Sequence, residues 1–237
     1  MRGRGVETSV RPAAVGLLVT SLLVLGACGG QAVSIDWVDL VQWNGITYLP
    51  TPPLAAGVST PALGAQLGTT KRKLAGNETD PAYHLENGDA AILEAGTPMF
   101  AVGEYRTTFR IAVRTSGRTV IYEADTNPAA RSGADLMDLR GLIDYIGVQG
   151  SDGRAELAAI HDAAVISRLV ELVLQAPVDQ SVGRPQAGTQ YFLAFHFRDG
   201  TQSLRAYWPS TGELSRGILT RPEFASTILS FLPPPAA

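Results

Sequence analysis

Tyr191-Phe192-Leu193-Ala194-Phe195-His196-Phe197-Arg198-Asp199-Gly200-Thr201-Gln202-Ser203-Leu204-Arg205-Ala206-Tyr207-Trp208 is the stretch that decides the fold. Two strand-like runs flank Asp199-Gly200, a dipeptide suited to the positive φ angles of a tight hairpin turn. With Asp199 and Gly200 as the two loop residues, Tyr191 faces Trp208, Leu193 faces Ala206 and Phe195 faces Leu204, which makes one apolar face. The other face then pairs Phe192 with Tyr207, Ala194 with Arg205 and His196 with Ser203. Upstream, Asp162 is placed to cap a helix in which Ile166, Leu169, Val170, Val173 and Leu174 recur at helical spacing, with Arg168, Glu171 and Gln175 between them. An apolar stripe and an apolar sheet face each need cover, and each can cover the other. The expectation for 150–237 is therefore a helix on an antiparallel sheet.

Working outward, Glu156 to Ile160 reads as a further strand, and Leu142 to Val148 as the strand that closes an earlier, mostly antiparallel β subdomain over 37–149. In that subdomain Asn44-Gly45 predicts a hairpin with Trp43 opposite Ile46 and Val41 opposite Tyr48. Ser116-Gly117 predicts another, with Val113 opposite Val120, Ile111 opposite Tyr122 and an Arg110–Glu123 ion pair on the opposite face. Leu63 to Leu74 reads as one strand, and Pro50, Pro52, Pro53 and Pro61 mark a connector. Asn127-Pro128 has the form of a helix start that Gly133 shortens or breaks. Thr220-Arg221-Pro222-Glu223 has the capping-box form, opening a last helix with Phe224, Ile228, Phe231 and Leu232 inward. The fold class is α+β.

Composition narrows the function classes. The chain is 45% hydrophobic with one cysteine, so it can pack a core but has no disulfide staple. Its net charge is −3, and removal of the first 27 residues takes away three arginines and Glu7, leaving 16 basic against 21 acidic residues. A general nucleic-acid binder needs a basic face, so that class is excluded.

The lone cysteine has its own context. Arg2, Arg4 and Arg11 precede an apolar run, Pro12 to Ala27, that ends in Leu25-Gly26-Ala27-Cys28, an export-signal pattern. Apart from Gly16, Thr20 and Ser21 the run is apolar, yet it falls short of the roughly 20 residues of a membrane span. Leu25-Gly26-Ala27-Cys28 resembles the lipobox of bacterial lipoproteins. That resemblance implies cleavage after Ala27, a diacylglyceryl lipid on Cys28, a tether over 28–36, and a protein held to the cell membrane facing away from the cytoplasm. Two acyl chains give durable attachment where one gives only marginal binding. The body, in Asn44-Gly45-Ile46-Thr47-Tyr48 and in Gly88-Asp89-Ala90-Ala91 followed by Gly96-Thr97-Pro98, is similar in style to uncharacterised bacterial lipoproteins.

Two groups of residues are candidates for chemistry. Asp80, His84, Glu86 and Asp89, with Glu78, concentrate in one polar loop, and oxygen ligands with one imidazole suit a divalent cation, although the spacing fits neither an EF-hand nor a zinc motif. Phe192, His196, Arg205 and Tyr207 share the mixed face of the hairpin in the register above, and their types are enriched at recognition sites. Asp135 and Asp138 stand three apart and can share one helical face as a carboxylate pair, but without a cleft partner they read as hydrated. There is no nucleophile elbow, no zinc-protease motif, no phosphate loop and no dinucleotide fingerprint. The reading is a non-catalytic module binding an envelope protein, a wall polymer or a small ligand, with no cofactor besides the lipid. The alternatives are an envelope hydrolase using Asp80, Glu86 or Asp89, and a metal-responsive envelope protein.

Overall fold

The computed structural model describes residues 35–54, 57–181 and 188–233, so Ala27, Cys28 and the tether as far as Ser34 lie outside the described residues. Hairpin chemistry builds the first sheet. Strands β1 (Val41–Trp43) and β2 (Ile46–Pro50) meet in the expected register, Val41 with Tyr48 and Trp43 with Ile46. Strands β7 (Arg110–Thr115) and β8 (Arg118–Thr126) pair Arg110 with Glu123, Ile111 with Tyr122 and Val113 with Val120, again as expected. Both loops hold two residues at positive φ, Asn44 and Gly45 in one, Ser116 and Gly117 in the other, which matches the twist of the flanking strands.

Strands β3 (Leu63–Thr69), β4 (Arg72–Lys73), β5 (Asp89–Ala90) and β6 (Pro98–Val102) complete an eight-stranded sheet of order β3-β6-β7-β8-β2-β1-β5-β4. The expected single strand from Leu63 to Leu74 is thus two strands at opposite ends of that order, parted only by Thr70 and Lys71, and the sheet curls until its edges meet. A curled sheet buries one face inside itself. Val41, Tyr48, Met99, Ile111, Val113, Tyr122 and Ala124 form that inner core. The ring of Trp43 reaches across to Gly68, approaching within 2.5 Å of where a Cβ would stand, so no larger residue fits there.

The second sheet has the order β10-β9-β11-β12-β13-β14. Its strands are β9 (Ile143–Gln149), β10 (Glu156–Ile160), β11 (Tyr191–Phe197), β12 (Gln202–Trp208), β13 (Glu213–Leu214) and β14 (Ile218–Leu219). Strand β9 does not close the first sheet as its sequence position suggested. It is an interior strand of the second, flanked by β10 and β11. Helix α1 (Ala163–Leu174) is capped by Asp162, whose carboxylate accepts from the amides of Ala164 and Val165, and the five predicted aliphatic positions are its buried ones. Burying each contributes roughly 1.5–3 kcal/mol. They join Ile146, Val148, Leu193 and Phe195 of the sheet, and Val102, Phe109, Ala112 and Ile121 from the outer side of the curled sheet, in a single core.

Three other expectations are corrected. The segment after Asn127-Pro128 forms a turn, in which Asn127 accepts from the Ala129 amide, and then one 3-10 turn at Gly133–Asp135. Gly133 sits against α1 with the Val173 carbonyl where a Cβ would be, so contact with the helix shapes this segment. Helix α2 (Pro222–Ser230) starts from Arg221 with no side-chain cap, because the Thr220 hydroxyl donates to the Gly212 carbonyl and Glu223 pairs with Arg168. Phe224 and Ile228 are buried on α2, whereas Phe231 stays 38% exposed beyond its end. Among the described residues no helix is long and apolar enough to cross a membrane.

Candidate functional site

The β11–β12 register differs from the expected one by one residue. Leu193 pairs with Arg205, Phe195 with Ser203, Tyr191 with Tyr207 and His196 with Gln202. The amide of Phe197 donates to the carbonyl of Thr201, so the loop holds three residues, and Asp199 accepts from both the amide and the hydroxyl of Thr201. Gly200, at positive φ, closes it. A slip of one residue moves every side chain of one strand to the other face. Arg205 and Tyr207 are therefore on the buried face with Leu193 and Phe195, while Phe192 and His196 share the half-buried face with Gln202, Leu204 and Ala206. The four expected binding residues divide two and two.

The buried face is chemically closed. Strand β13 reaches only Tyr207 and Trp208, which leaves the β12 edge from Gln202 to Arg205 without a strand partner among the described residues. Arg110 fills that place. Its Nη2 donates to the Gln202 carbonyl, its Nη1 to the Thr201 hydroxyl, and its Nε and Nη2 to Glu123 at 3.0 and 2.6 Å. The rings of Phe197, Tyr105 and Phe109 surround its guanidinium at 4.1, 4.6 and 4.9 Å. The other oxygen of Glu123 accepts from Ser203 at 2.8 Å and lies 3.0 Å from Arg205, with Arg216 behind at 3.9 Å. Arg216 pairs with Asp125 and donates to the Ala124 carbonyl.

Burial alone would raise the Glu123 carboxyl, but the guanidinium groups of Arg205, Arg110 and Arg216 outweigh it and hold the group below the usual carboxylate range. Burial, with Arg216 beside it, pushes Arg205 down to about 9, against the partial opposition of Glu123. Arg205 is thus still charged at neutral pH. The pair predicted from sequence at Arg110 and Glu123 is present, but it is a sealed structural cluster and not a surface bridge.

The half-buried face is open. Because His196 pairs with Tyr145 across β11–β9, and Ile160 with Ile146 across β10–β9, the rings of His196, Tyr145 and His161, just past the end of β10, fall in one row. The Tyr145 and His196 rings stack at 3.9 Å and 7°, and the Tyr145 and His161 rings at 5.0 Å and 28°. Two of the three histidines therefore converge on one tyrosine, while His84 is exposed in its own loop. The next residue along β9 on this face is Gly147. Glu156 Oε2 and His196 Nε2 approach within 2.9 and 3.6 Å of where its Cβ would stand, so the absence of a side chain lets carboxylate and imidazole share that space. His196 Nε2 is shut off from solvent and has no hydrogen-bond partner among the described residues. Burial lowers the His196 imidazole, and Glu156 and Asp144 offset only part of that, so it is neutral at pH 7.

Opposite the rings, Pro52, Pro53 and Leu54 with Ile121 close a cleft of about 240 Å³, whose other wall is Tyr145, His196, Thr201 and Gln202. Among the described residues no carboxylate lines it, and the one cation, Arg110, is already committed to Glu123. The polar loop is different. Glu78 pairs with Arg72 and accepts from the amides of Thr79 and Asp80, Asp80 accepts from the Ala82 amide, and Asp89 is buried, accepting from the Tyr83 hydroxyl and the Glu86 amide. These carboxylates hold their own backbone, and among the described residues no three His, Cys, Asp or Glu side chains gather as a metal set. Asp135 likewise binds the amides of Arg131 and Ser132, and Asp138 pairs with Arg106. Sequence reasoning missed Tyr145, Glu156 and the Pro52–Leu54 wall. Only the position of β9 beside β11 unites them, and no local pattern announces that pairing. Comparison of the chain with protein families, curated proteins and solved structures finds no match.

Proposed function

We propose that this chain is a lipid-anchored, extracytoplasmic binding module, attached through Cys28, in which the closed first sheet serves as a frame and the helix-covered second sheet as the binding subdomain. The seat we assign is the cleft between Pro52–Leu54 and the Tyr145–His196 stack. The observation that carries this reading is the pairing, in one cleft, of stacked rings and proline walls, with the one cation of the described lining already held by Glu123. Recognition sites are mostly apolar hollows with a few placed polar groups. The second nitrogen of the neutral His196 ring and the Gln202 amide offer hydrogen bonds without charge, and the rings that line the cleft suit the CH face of a sugar ring. A neutral amino-sugar unit of a wall polymer fits that chemistry.

The test is titration of purified 28–237 protein with N-acetylglucosamine oligomers, followed by NMR. Saturable shifts in residues around Tyr145 that vanish in Tyr145→Ala are the expected result; no saturation, or binding retained in both Tyr145→Ala and His196→Ala, overturns the assignment. The anchor is tested separately by intact mass and membrane fractionation of the native protein and Cys28→Ala. A soluble native protein without a diacylglyceryl mass removes that part of the reading.

A further inference from the structure

A second hollow lies beyond His161, between α1 and the end of β9, with a volume of about 460 Å³. Its lining divides by chemistry. Leu139, Ile143, Ile166 and Val170 supply an apolar floor that belongs to the core or packs beside it. At the rim two charged pairs stand in different conditions. Arg140 and Glu171 satisfy each other with two hydrogen bonds, at 2.6 and 2.8 Å. Asp144 and Arg198 both face the same hollow, and neither side chain has an ion-pair or hydrogen-bond partner among the described residues. Arg198 is anchored near Asp144, since its amide donates to the Leu142 carbonyl at 3.0 Å across the β9–β11 seam.

A rim with one free cation and one free anion above an apolar floor is complementary to a molecule with the reverse arrangement: a carboxylate, an ammonium and an aliphatic tail. We infer that this hollow is a binding site for a zwitterionic α-amino acid with an apolar side chain. Its carboxylate is received by the Arg198 guanidinium, whose planar fork suits two-point binding of a carboxylate. Its ammonium is received by Asp144, and its side chain lies over Ile143, Ile166 and Val170. Neither charge alone specifies this class, because a simple carboxylate would leave Asp144 facing it and a simple amine would leave Arg198 facing it. The site is independent of the neutral cleft and does not rest on the sugar reading.

The experiment is calorimetric titration of 28–237 protein with L-leucine, N-acetyl-L-leucine and L-leucine amide, the last two each lacking one of the charges. L-leucine is expected to bind saturably, and each analogue at least about tenfold more weakly, as loss of one charge-assisted contact implies. Arg198→Gln is expected to weaken L-leucine to a similar extent, and both residues are exposed, so the variant removes no buried contact. No saturable heat with L-leucine, or equal affinity for an analogue and L-leucine, overturns the inference. Titrating Arg198→Gln with the amino-sugar oligomers separates the two sites: loss of leucine binding with sugar binding retained supports two sites, and joint loss with an intact fold overturns their independence.

Discussion

On one face of the β11–β12 hairpin, Ser203 and Arg205 join Arg110 and Glu123 out of reach of water; on the other, His196 and Gln202 form the wall of an open cleft. The two faces share a backbone and are built from similar residue types. They differ in what covers them. The curled sheet brings Glu123 and Arg110 against the unpaired edge of β12, so the charges there serve to close an edge that would otherwise offer free carbonyl and amide groups to another chain. Among the described residues nothing comparable lies over Tyr145 and His196, where the cover is the proline segment. Polar residues in this molecule are therefore structural where a second sheet meets them and available where only a connector does.

The largest effect that would break this contrast is on the sealed side. Glu123→Gln leaves three guanidinium groups around a neutral amide, and breaking a buried pair in this way costs about 3–5 kcal/mol. A fall of that size in urea-denaturation stability is expected; a change under about 1 kcal/mol would mean the cluster is wetter than its burial indicates. On the open side the effect falls on binding instead. His196→Ala is expected to lower amino-sugar affinity about tenfold or more while unfolding stability moves by about 1 kcal/mol, measured by titration and denaturation on the same preparation.

The pH dependence separates the faces further. The folded His196 imidazole lies below its ordinary value, so just below that value the unfolded chain binds more protons than the folded one, and stability rises with pH there. The stability it contributes is present above the ordinary imidazole range and is lost as pH falls through it. Glu123 has the same sign lower down, in the carboxylate range, because its folded carboxyl is also depressed. Urea midpoints measured from pH 7 to pH 3 are expected to fall in two stages, and His196→Gln is expected to diminish the upper stage alone. The smallest effect is that of Arg205→Met. This removes a costly buried charge whose Nε has no hydrogen-bond partner among the described residues, while Arg110 remains to hold Glu123. Because Glu123 keeps Arg110 and Arg216, replacing Arg205 by an apolar group of similar length is expected to cost less than the roughly 3–5 kcal/mol of a buried charge left unpaired.

Particular residues show how far the chain could be read before folding. Asn44-Gly45 and Ser116-Gly117 specify their registers because both loop residues take positive φ and the two-residue turn follows. Asp199-Gly200 looks the same in sequence. There, however, the Asp199 carboxylate ties down Thr201, and Gly200 supplies the turn's last residue, so the loop gains one position. Two- and three-residue loops both end in a glycine at positive φ, and the dipeptide does not distinguish them. That single residue exchanged the faces of Arg205 and Tyr207 and divided the expected binding set. The acidic loop shows the converse, since Glu78, Asp80 and Asp89 each accept from amides within a few positions of themselves, which their spacing did not announce.

What the sequence determined by itself was local: the α+β class, the two short hairpins, the capped helix α1 and its buried stripe, and the Arg110–Glu123 pair. Each depends on φ preference, periodicity or a cap within a dozen or so residues. Only the tertiary structure decided that the first sheet curls closed, that β9 joins the second sheet, that Arg110–Glu123 is sealed, and that His161, Tyr145 and His196 form one row beside a cleft. These depend on contacts between segments far apart in the chain, where the energy of burying a face is shared by many partners and no short stretch of residues encodes which partner is chosen.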